Sequence, residues 1–428
     1  MSSQPRQPGA APGGDQFAST PKTEAAIELT ARPDGDSAPW PALGWEPQTW
    51  QLTPGEWSSS RDRRAGRGYR SAIPAAIAGQ DTFLPGWLTA DLDAATAAIA
   101  RFDAQHATTR SFAALTAVLL RTESASSSQI EQITASARAV AEAEFTGEGT
   151  GNAAVVAGNV KAMNAALAGE GPIDTDRIAH LQQILLQSHA PHLVGWRQGP
   201  VWVGGGGSTP VTADYVGPDH HRIPAAIDDL TAFLERDDLP VLAQAAIAHA
   251  QFETIHPFAD GNGRTGRALV HLVLRDKGLA RSVTVPVSAG LLRDRAGYFA
   301  ALDAYRTGDA QPIISVFVSA SMHAVAQSER FDHQLQQVQS SWKEHITARS
   351  DSAVWRVLEV LPRHPVADAE TLAVAAGYNP RNIYRALQPL LEAGILIGSN
   401  HHRSRRFLYR SPDVLGILNE YADSFGRR

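Results

Sequence analysis

The sequence predicts a mainly α-helical protein with one β-hairpin, followed by a smaller C-terminal unit of three helices and a hairpin. Apolar residues between Leu88 and Ala168 recur at the 3.6-residue period of an amphipathic helix. Two short runs of bulky residues flank the four glycines at 204–207, which predicts the first hairpin. Between residues 350 and 428, three helical patterns precede two extended runs, which is the order of a winged helix-turn-helix domain.

Composition limits the classes of function. The 428 residues, 43% hydrophobic and 19% charged, suffice for two or three globular domains. No cysteine is present, which excludes disulfides, thiolate zinc sites, iron–sulfur clusters and cysteine nucleophiles. The net charge of −6 is too small to predict that the chain as a whole binds a polyanion. Because no long apolar run and no secretory signal occur, we expect a cytoplasmic protein without membrane contact.

Shifts in composition divide the chain into four parts. Residues 1–38 are rich in Gly, Pro and Ser and lack periodicity, so we expect a disordered tail. Residues 39–170 begin with an irregular arm that carries four tryptophans and continue as helices. Residues 171–345 hold further helices and the hairpin, and residues 350–428 form the separate C-terminal unit.

Breaks in the periodic pattern place the individual helices. Polar residues at 108–109 and 124–128 should separate the helices of the N-terminal half. Pro312 is expected at the start of a long helix that ends near Ile346, because proline suits the first helical turn. Further helices are predicted at 175–188, 223–236, 239–255, 264–277, about 294–306, 352–362, 368–376 and 380–393, with strands at 395–397 and 407–409.

The densest functional signal is a segment of twelve residues, HPFADGNGRTGR, which begins at His256. Pro257 disfavours the helical conformation for the residue before it, so a helix should end at His256 and leave the imidazole in a loop. Gly261 and Gly263 permit a tight turn with exposed N–H groups, and a new helix should begin near Arg264. Loop N–H groups beside a helix N-terminus form an anion site.

Charged residues of the same segment indicate a polyphosphate. Arg264 and Arg267 lie on one face of the first helical turn, where the helix dipole disfavours each cation by about 0.3–1 kcal/mol unless an anion binds. Asp260 offers a hard oxygen ligand for Mg²⁺. A base, a metal ligand and a phosphate cradle are what phosphoryl or nucleotidyl transfer requires. The alternative is an ordinary His-Pro turn in which Asp260 caps the helix.

The segment resembles the signature of Fic-domain proteins, His-Pro-Phe-x-Asp-Gly-Asn-Gly-Arg-x-x-Arg, at every fixed position. The helix that precedes it, Ala248–Ile255, resembles the corresponding family helix, and the resemblance covers about residues 40–345. It implies a mainly helical Fic fold and protein AMPylation, the transfer of AMP from MgATP to a hydroxyl of a target protein. It also implies that the protein can modify itself or form a homodimer.

The resemblance assigns a role to each residue of the signature. It implies that His256 takes the proton of the target hydroxyl and that Asp260 holds Mg²⁺ against the α- and β-phosphates. It implies that the two arginines bind the β/γ end of ATP. Tyr298 resembles a residue near the adenine pocket, although a core aromatic is the alternative. The implied nucleotide-binding residues are Gly261, Asn262, Gly263, Arg264, Arg267 and Tyr298.

The hairpin at 201–217 resembles the family's flap, which aligns the target peptide by backbone pairing. An ordinary surface hairpin is the alternative. The flap residues predicted to meet the target are Val201, Trp202, Val203, Gly204 and Gly205.

Five residues from Ser127 to Glu131 resemble the family's inhibitory motif, although Gln132 stands where the family has Gly or Asn. In the family this Glu pairs with the second arginine of the signature, Arg267 here, and obstructs the γ-phosphate. Ser128 and Glu131 also fit a capping box at the start of a helix, which would give Glu131 a structural role. The resemblance therefore implies autoinhibition and leaves a reverse reaction, removal of AMP, open.

The C-terminal unit has a basic surface. Six arginines and one acidic residue occur between residues 379 and 410. A third helix and a wing that carry arginines fit DNA phosphates, while dimerisation or target docking is the alternative. Two further functions therefore remain open: a Fic-fold transcriptional regulator, or transfer of another nucleotide or phosphate group. The predicted DNA-binding residues are Arg381, Arg385, Arg403, Arg405 and Arg406.

Overall fold

A computed structural model describes residues 40–50, 67–107, 112–204, 209–401 and 406–420, together with the backbone of 421–426. The predicted tail at 1–38, the flap residue Gly205 and two predicted DNA-binding residues, Arg403 and Arg405, lie outside the described residues. The predicted mainly helical fold is confirmed. Within the described residues, no helix is both long and apolar enough to cross a membrane.

The N-terminal arm is a β-ribbon, so the prediction of an irregular arm was wrong for its described part. Strands β1 (Gly44–Thr49) and β2 (Gly68–Ile73) pair antiparallel, with Pro47 opposite Arg70. Proline is tolerated because both strands of a two-stranded ribbon are edges with one unpaired side. Trp40 anchors the ribbon, since its buried ring lies 5.7 Å from the ring of Tyr305.

Four helices form the N-terminal half, and the predicted break at 124–128 is absent. Ser124 and Ser128 lie inside α2 and donate their hydroxyls to carbonyls one turn earlier, at 2.9 Å each. Asn159 donates to the carbonyl of Ser124 at 2.8 Å, so these polar residues form a helix–helix contact. The helices are α1 (Gly86–His106), α2 (Phe112–Ile130), α3 (Ala137–Thr146) and α4 (Gly151–Ala168).

The central part of the chain packs around helix α7 (Val241–Ile255). This helix is buried on every side from Leu242 onward. Helix α8 (Asn262–Asp276) crosses it closely at Gly266, where an added Cβ would lie 2.9 Å from the ring of Phe252. Helix α9 was not predicted. The other helices are α5 (Thr175–Leu186), α6 (Ile223–Glu235), α9 (Val287–Arg293), α10 (Arg295–Arg306) and α11 (Gln311–His345).

The predicted hairpin at 201–217 is present but short. Strands β3 (Trp202–Val203) and β4 (Tyr215–Val216) pair antiparallel. Gly204 follows β3 with φ of 74°, and a Cβ there would overlap the carboxylate of Asp214. Glycine is therefore required at the point where the chain leaves β3.

The C-terminal unit, residues 350–428, packs around an apolar cluster that contains Val357 and Leu387 and also Trp342 of α11. Its three predicted helices and the predicted strand at 407–409 are present. The strand predicted at 395–397 instead begins at Ile397 and runs to Asn400, and a short strand β5 and a final helix were not predicted. The sheet order is β5-β7-β6, antiparallel throughout. A winged-helix assignment stays a prediction. The elements are α12 (Ala353–Val360), β5 (Val366–Ala367), α13 (Ala369–Ala375), α14 (Tyr384–Glu392), β6 (Ile397–Asn400), β7 (Phe407–Arg410) and α15 (Pro412–Gly426).

Candidate active site

His256 caps the buried helix α7. The helix ends at Ile255, as predicted, but His256 adopts a left-handed conformation with φ of 48° rather than the extended one that Pro257 favours. Its N–H donates to the carbonyl of Phe252 at 2.8 Å, which closes the last turn. The imidazole is thus held at a rigid helix end.

Glu253, which the sequence analysis missed, lies one helical turn before His256. Its Oε2 is 3.5 Å from Nδ1 of the imidazole, and its backbone carbonyl is 3.3 Å from the same nitrogen. Burial alone would raise the pKa of the Glu253 carboxyl, but His256, His249 and Arg267 lower it to about 2. The carboxylate is therefore ionised and orients the ring. The sequence did contain a signal for this contact, because a carboxylate three residues before a histidine lies on the same face of a helix.

Arg197, which the sequence analysis also missed, joins the loop at His256 to the residues on either side of the hairpin. Its buried guanidinium donates to the carbonyl of His256 at 2.8 Å and to those of Gly199 and Pro218 at 2.8 and 2.6 Å. Burial lowers its pKa to about 10, so it remains a cation at neutral pH. Sequence pattern gave no signal, because these partners lie up to 59 residues away.

The loop after His256 turns tightly into α8. Gly261 has φ of 83°, and the helix begins at Asn262, two residues earlier than predicted. The amide of Asn262 accepts from the N–H of Phe258 at 2.9 Å and donates to its carbonyl at 2.8 Å. This side chain therefore braces the loop. The Asp260 carboxylate accepts the N–H of Gly261 at 2.7 Å and is 44% exposed.

The two signature arginines are buried and share one carboxylate. Oε1 of Glu131 is 2.6 Å from Nη2 of Arg267, and Oε2 is 3.0 Å from Nε of Arg264. Arg267 also donates to the hydroxyl and the carbonyl of Ser127, at 2.8 Å each. Burial opposes the charge of Arg267, but Glu131 raises its pKa above the usual range. The structure thus places Ser127 and Glu131 against Arg267, and adds Arg264 to the pair.

Glu131 follows the end of α2 and does not cap the start of a helix, so the capping-box alternative is wrong. The Ser128 hydroxyl is bonded to the carbonyl of Ser124 at 2.9 Å. Gln132 comes next, in a left-handed conformation with φ of 64°. Gly and Asn adopt this conformation most readily, and Gln132 adopts it at a cost of about 1–2 kcal/mol.

A cavity of about 700 Å³ lies between these groups and the flap. His256, Asp260, Glu131 and Arg267 line it. Three of the predicted flap residues, Val201, Trp202 and Val203, line it as well. The cavity therefore brings a base, an exposed carboxylate and a buried arginine to one space.

Two family models match the parts of the chain that build this site. Residues 172–274 match the model described as the Fic/DOC family, and residues 89–168 match the one described as its N-terminal region. The chain contains a Fic domain. A Fic family protein from Desulfovibrio desulfuricans has a TM-score of 0.50 at 23% identity over 77% of this chain and 97% of that one, which supports the fold.

Named relatives share short stretches with this chain. Protein adenylyltransferase fic-1 of Caenorhabditis elegans is 32% identical over 123 residues, which are 29% of this chain and 22% of the relative. A probable protein adenylyltransferase of Aquifex aeolicus is 37% identical over 68 residues, which are 16% of this chain and 21% of the relative. The chain thus spans about a fifth of the length of the curated relatives it matches.

Tyr298 is both a core residue and part of the cavity wall. Its side chain is buried, and its hydroxyl lies 2.7 Å from Nε2 of His249. Burial raises the pKa of Tyr298. Tyr298 is therefore a core aromatic that also lines the cavity, and its place beside an adenine stays a prediction.

A buried cluster fixes α2, the helix that precedes Glu131, against the rest of the Fic domain. Glu123 accepts the N–H of Ser288 at 2.8 Å and lies 3.0 Å from Nε2 of His271. Burial opposes ionisation, but His271 and Ser288 hold the pKa of Glu123 below its usual range. The register of α2 is thereby set against α8 and α9.

The arginines predicted to bind DNA lie outside the Fic domain's cavity. Arg381 and Arg385 are exposed at and after the turn that opens α14. Arg406 is exposed just before β7 and lies 3.8 Å from Asp368. The structure thus leaves all three accessible on the C-terminal unit.

Proposed function

We propose that this protein is a protein adenylyltransferase that transfers AMP from ATP to a hydroxyl of a target protein. The observation that carries the proposal is that His256, Asp260 and Arg267 line one cavity of about 700 Å³. The relatives named above, which bear the name protein adenylyltransferase, support the same activity.

In the proposed reaction, the target hydroxyl oxygen attacks the α-phosphorus of ATP. A new P–O bond forms to the target, the bond to the β-phosphate breaks, and pyrophosphate leaves. The hydroxyl proton passes to Nε2 of His256, because Nδ1 lies against the oxygens of Glu253. The Glu253 carboxylate stabilises the imidazolium that forms, and Arg197 holds the backbone of His256 in place.

The phosphates would bind at the start of α8. The guanidiniums of Arg264 and Arg267 offer charged donors, and Gly263 leaves room where a Cβ would overlap Glu131 and approach Arg267 to 2.8 Å. Asp260 is the residue that would hold Mg²⁺, since its carboxylate is partly exposed at the cavity and hard oxygens suit this ion. When bound, the ion would neutralise charge on the phosphates.

Glu131 makes the protein autoinhibited in this proposal. Its two oxygens occupy Arg264 and Arg267, so an incoming phosphate must displace a carboxylate that is already paired. The reverse reaction, removal of AMP from the target with the help of the same carboxylate, stays a prediction. Self-modification and a homodimer also stay predictions.

The proposal can be tested with ATP that carries a radioactive label on one chosen phosphate. Cell lysate would be incubated with ATP labelled on the α- or the γ-phosphate, together with the Glu131→Gly protein or the Glu131→Gly/His256→Ala protein. We expect protein labelling from α-labelled ATP alone and its loss with His256→Ala. Labelling from γ-labelled ATP would indicate phosphate transfer instead. No labelling from either would contradict the proposal.

A second function rests on the C-terminal unit, residues 350–428, which we propose is a winged helix that binds duplex DNA. Arg381 and Arg385 are exposed beside Tyr384, which is 61% exposed. We expect salt-dependent binding to a duplex that Arg381→Ala/Arg385→Ala weakens. Binding unchanged by these substitutions would favour docking or dimerisation at this surface.

A further inference from the structure

Helix α3, which begins six residues after Glu131, packs against the C-terminal unit. Its residue Ala141 lies in a buried apolar cluster whose other members belong to β5, β7 and α15: Val366, Leu408 and Leu415. Burial of apolar surface of this kind holds two elements together. The contact has no role in the proposed chemistry, yet it involves the helix directly after the glutamate that pairs with the signature arginines.

Polar contacts fix the first turn of α3 to the last helix of the chain. The N–H groups of a first helical turn have no partner within the helix and need one from elsewhere. The hydroxyl of Ser136 accepts from the N–H of Ala139 at 3.3 Å. The side-chain carbonyl of Asn419 in α15 accepts from the N–H of Ala137 at 2.9 Å. Asn419 thus caps a helix that lies 282 positions away in the sequence.

Two arginines also join this region to the C-terminal unit. The guanidinium of Arg410 on β7 lies 3.4 Å from the carboxylate of Glu142 on α3, and both side chains are mostly buried. Arg121 of α2 pairs with Glu144 of α3 at 2.9 Å and also donates to the carbonyl of Arg363 in the C-terminal unit at 3.0 Å. Both α2 and α3 are therefore bonded to the C-terminal unit.

The connection between these two helices is short and strained. Glu131 lies in the six residues that separate the end of α2 at Ile130 from the start of α3 at Ala137. Gln132 has φ of 64°, and a residue other than glycine keeps such a conformation where the surrounding structure fixes it on both sides. Because Ala137 is bonded to Asn419, a shift of the C-terminal unit would move the end of the segment that positions Glu131.

We propose that the C-terminal unit is a clamp that holds Glu131 against Arg264 and Arg267, so that weakening its contact with α3 activates the transfer of AMP. This inference rests on the proposed function. A contact biases the position of Glu131 only if it is stronger in the paired state than in the state that admits a triphosphate. The bond to Asn419 meets this condition, because a connection of six residues couples the position of Ala137 to that of Glu131.

Activity measurements with two asparagine variants test the inference. Asn419→Ala removes the acceptor for the N–H of Ala137. Asn379→Ala is the matched control, because Asn379 accepts the N–H of Arg381 at 2.9 Å within the C-terminal unit itself. Each substitution would be made in the native chain and in the Glu131→Gly protein, and AMP incorporation from α-labelled ATP would be measured in cell lysate.

We expect Asn419→Ala to raise the rate of AMP incorporation by the native chain about three- to tenfold, the range that loss of one hydrogen bond allows. Asn379→Ala should leave that rate unchanged. In the Glu131→Gly protein, Asn419→Ala should add nothing, because the clamp acts only through Glu131. Arg410→Gln, which weakens the ion pair with Glu142, should activate the native chain in the same way. Circular dichroism at the assay temperature would show that each variant is folded.

Two results would overturn the clamp and leave the proposed transfer of AMP intact. One is unchanged incorporation by Asn419→Ala and Arg410→Gln beside an active Glu131→Gly protein. The other is further activation by Asn419→Ala in the Glu131→Gly protein, because the contact would then act through another residue.

The remaining results concern the proposed function itself. Equal incorporation by the native and Glu131→Gly proteins would remove autoinhibition, and this inference with it, while the transfer of AMP would stand. No incorporation by the Glu131→Gly protein would remove both the proposed function and the clamp.

Discussion

Oε1 of Glu131 lies 2.6 Å from Nη2 of Arg267, across 136 residues of sequence. Its other oxygen contacts Arg264, so one carboxylate occupies both arginines of the signature. Because the two guanidiniums are almost wholly buried, they cannot turn to solvent to accept another anion. In the proposed reaction, access of a triphosphate to these arginines would therefore depend on the position of the Glu131 side chain.

Removing that side chain should activate the protein. We expect Glu131→Gly to raise AMP incorporation from α-labelled ATP about tenfold or more. A charged hydrogen bond contributes about 1.5–3 kcal/mol, and each 1.4 kcal/mol is a factor of ten. Glu170→Gly, a change in an exposed loop, is the control and should have no effect. Equal incorporation by the Glu131→Gly and native proteins would contradict autoinhibition.

Loss of the His256 imidazole should slow the transfer of AMP and leave the affinity for ATP unchanged. In the Glu131→Gly background, His256→Ala should lower the transfer rate about 10²- to 10⁴-fold, the usual contribution of a general base. ATP affinity measured by calorimetry should stay the same, because the arginines are intact. His192→Ala, at an exposed histidine, is the control. Retained transfer in His256→Ala would exclude this residue as the base.

Stability should fall in mild acid because of His249. Burial lowers its pKa from 6.5 to about 4, and Arg267 adds to this effect against the attraction of Glu253. The unfolded chain therefore takes up a proton that the folded chain refuses, and stability is lost as pH falls from 6.5 to 4. His249 should account for about 3 kcal/mol of this loss.

Urea unfolding at pH 7 and pH 4 would measure this loss. His249→Gln should reduce the difference between the two pH values, because an amide does not titrate. The native protein and His249→Gln would then differ more at pH 7 than at pH 4. An identical pH dependence in both proteins would show that His249 is protonated at the same pH in the folded and unfolded chains.

The buried carboxylate of Glu123 should be important for stability. Glu123→Ala leaves His271 and the N–H of Ser288 without their partner, which should cost about 3–5 kcal/mol in urea unfolding. The control is Asp238→Ala, at an exposed carboxylate paired with Arg236 at 2.7 Å, which should change stability far less because water screens it. Similar losses in both variants would contradict the role of burial.

Gly263 and Glu131 should be energetically coupled. A Cβ at residue 263 would overlap Oε1 of Glu131 and lie 2.8 Å from Nη1 of Arg267. Gly263→Ala should therefore destabilise the native protein more than it destabilises Glu131→Gly, with a coupling of about 0.5–3 kcal/mol. Unfolding free energies of the four proteins give this value directly, and strictly additive effects would indicate that the loop moves to admit the methyl group.

Local sequence was sufficient for the catalytic loop and insufficient for the elements around it. His256, Asp260 and the two arginines lie within twelve residues, so a helix end, two glycines and a helix start place them together. The serines at 124–128 misled the prediction, because their polarity suggested a break. The hydroxyls of Ser124 and Ser128 bond within α2, and Asn159 of α4 donates to the carbonyl of Ser124, contacts that no local pattern reveals.

By itself, the sequence determined the helical class, the hairpin and the anion-binding turn, because each depends on periodicity or on backbone preferences within a few residues. Only the tertiary structure decided that Glu131 contacts both arginines, that Arg197 joins the loop to the hairpin, and that Trp45 lines the same cavity as His256. These contacts join residues 59 to 136 positions apart, or different elements of the fold. Such pairings follow from how helices and strands pack, and packing is a property of the whole chain.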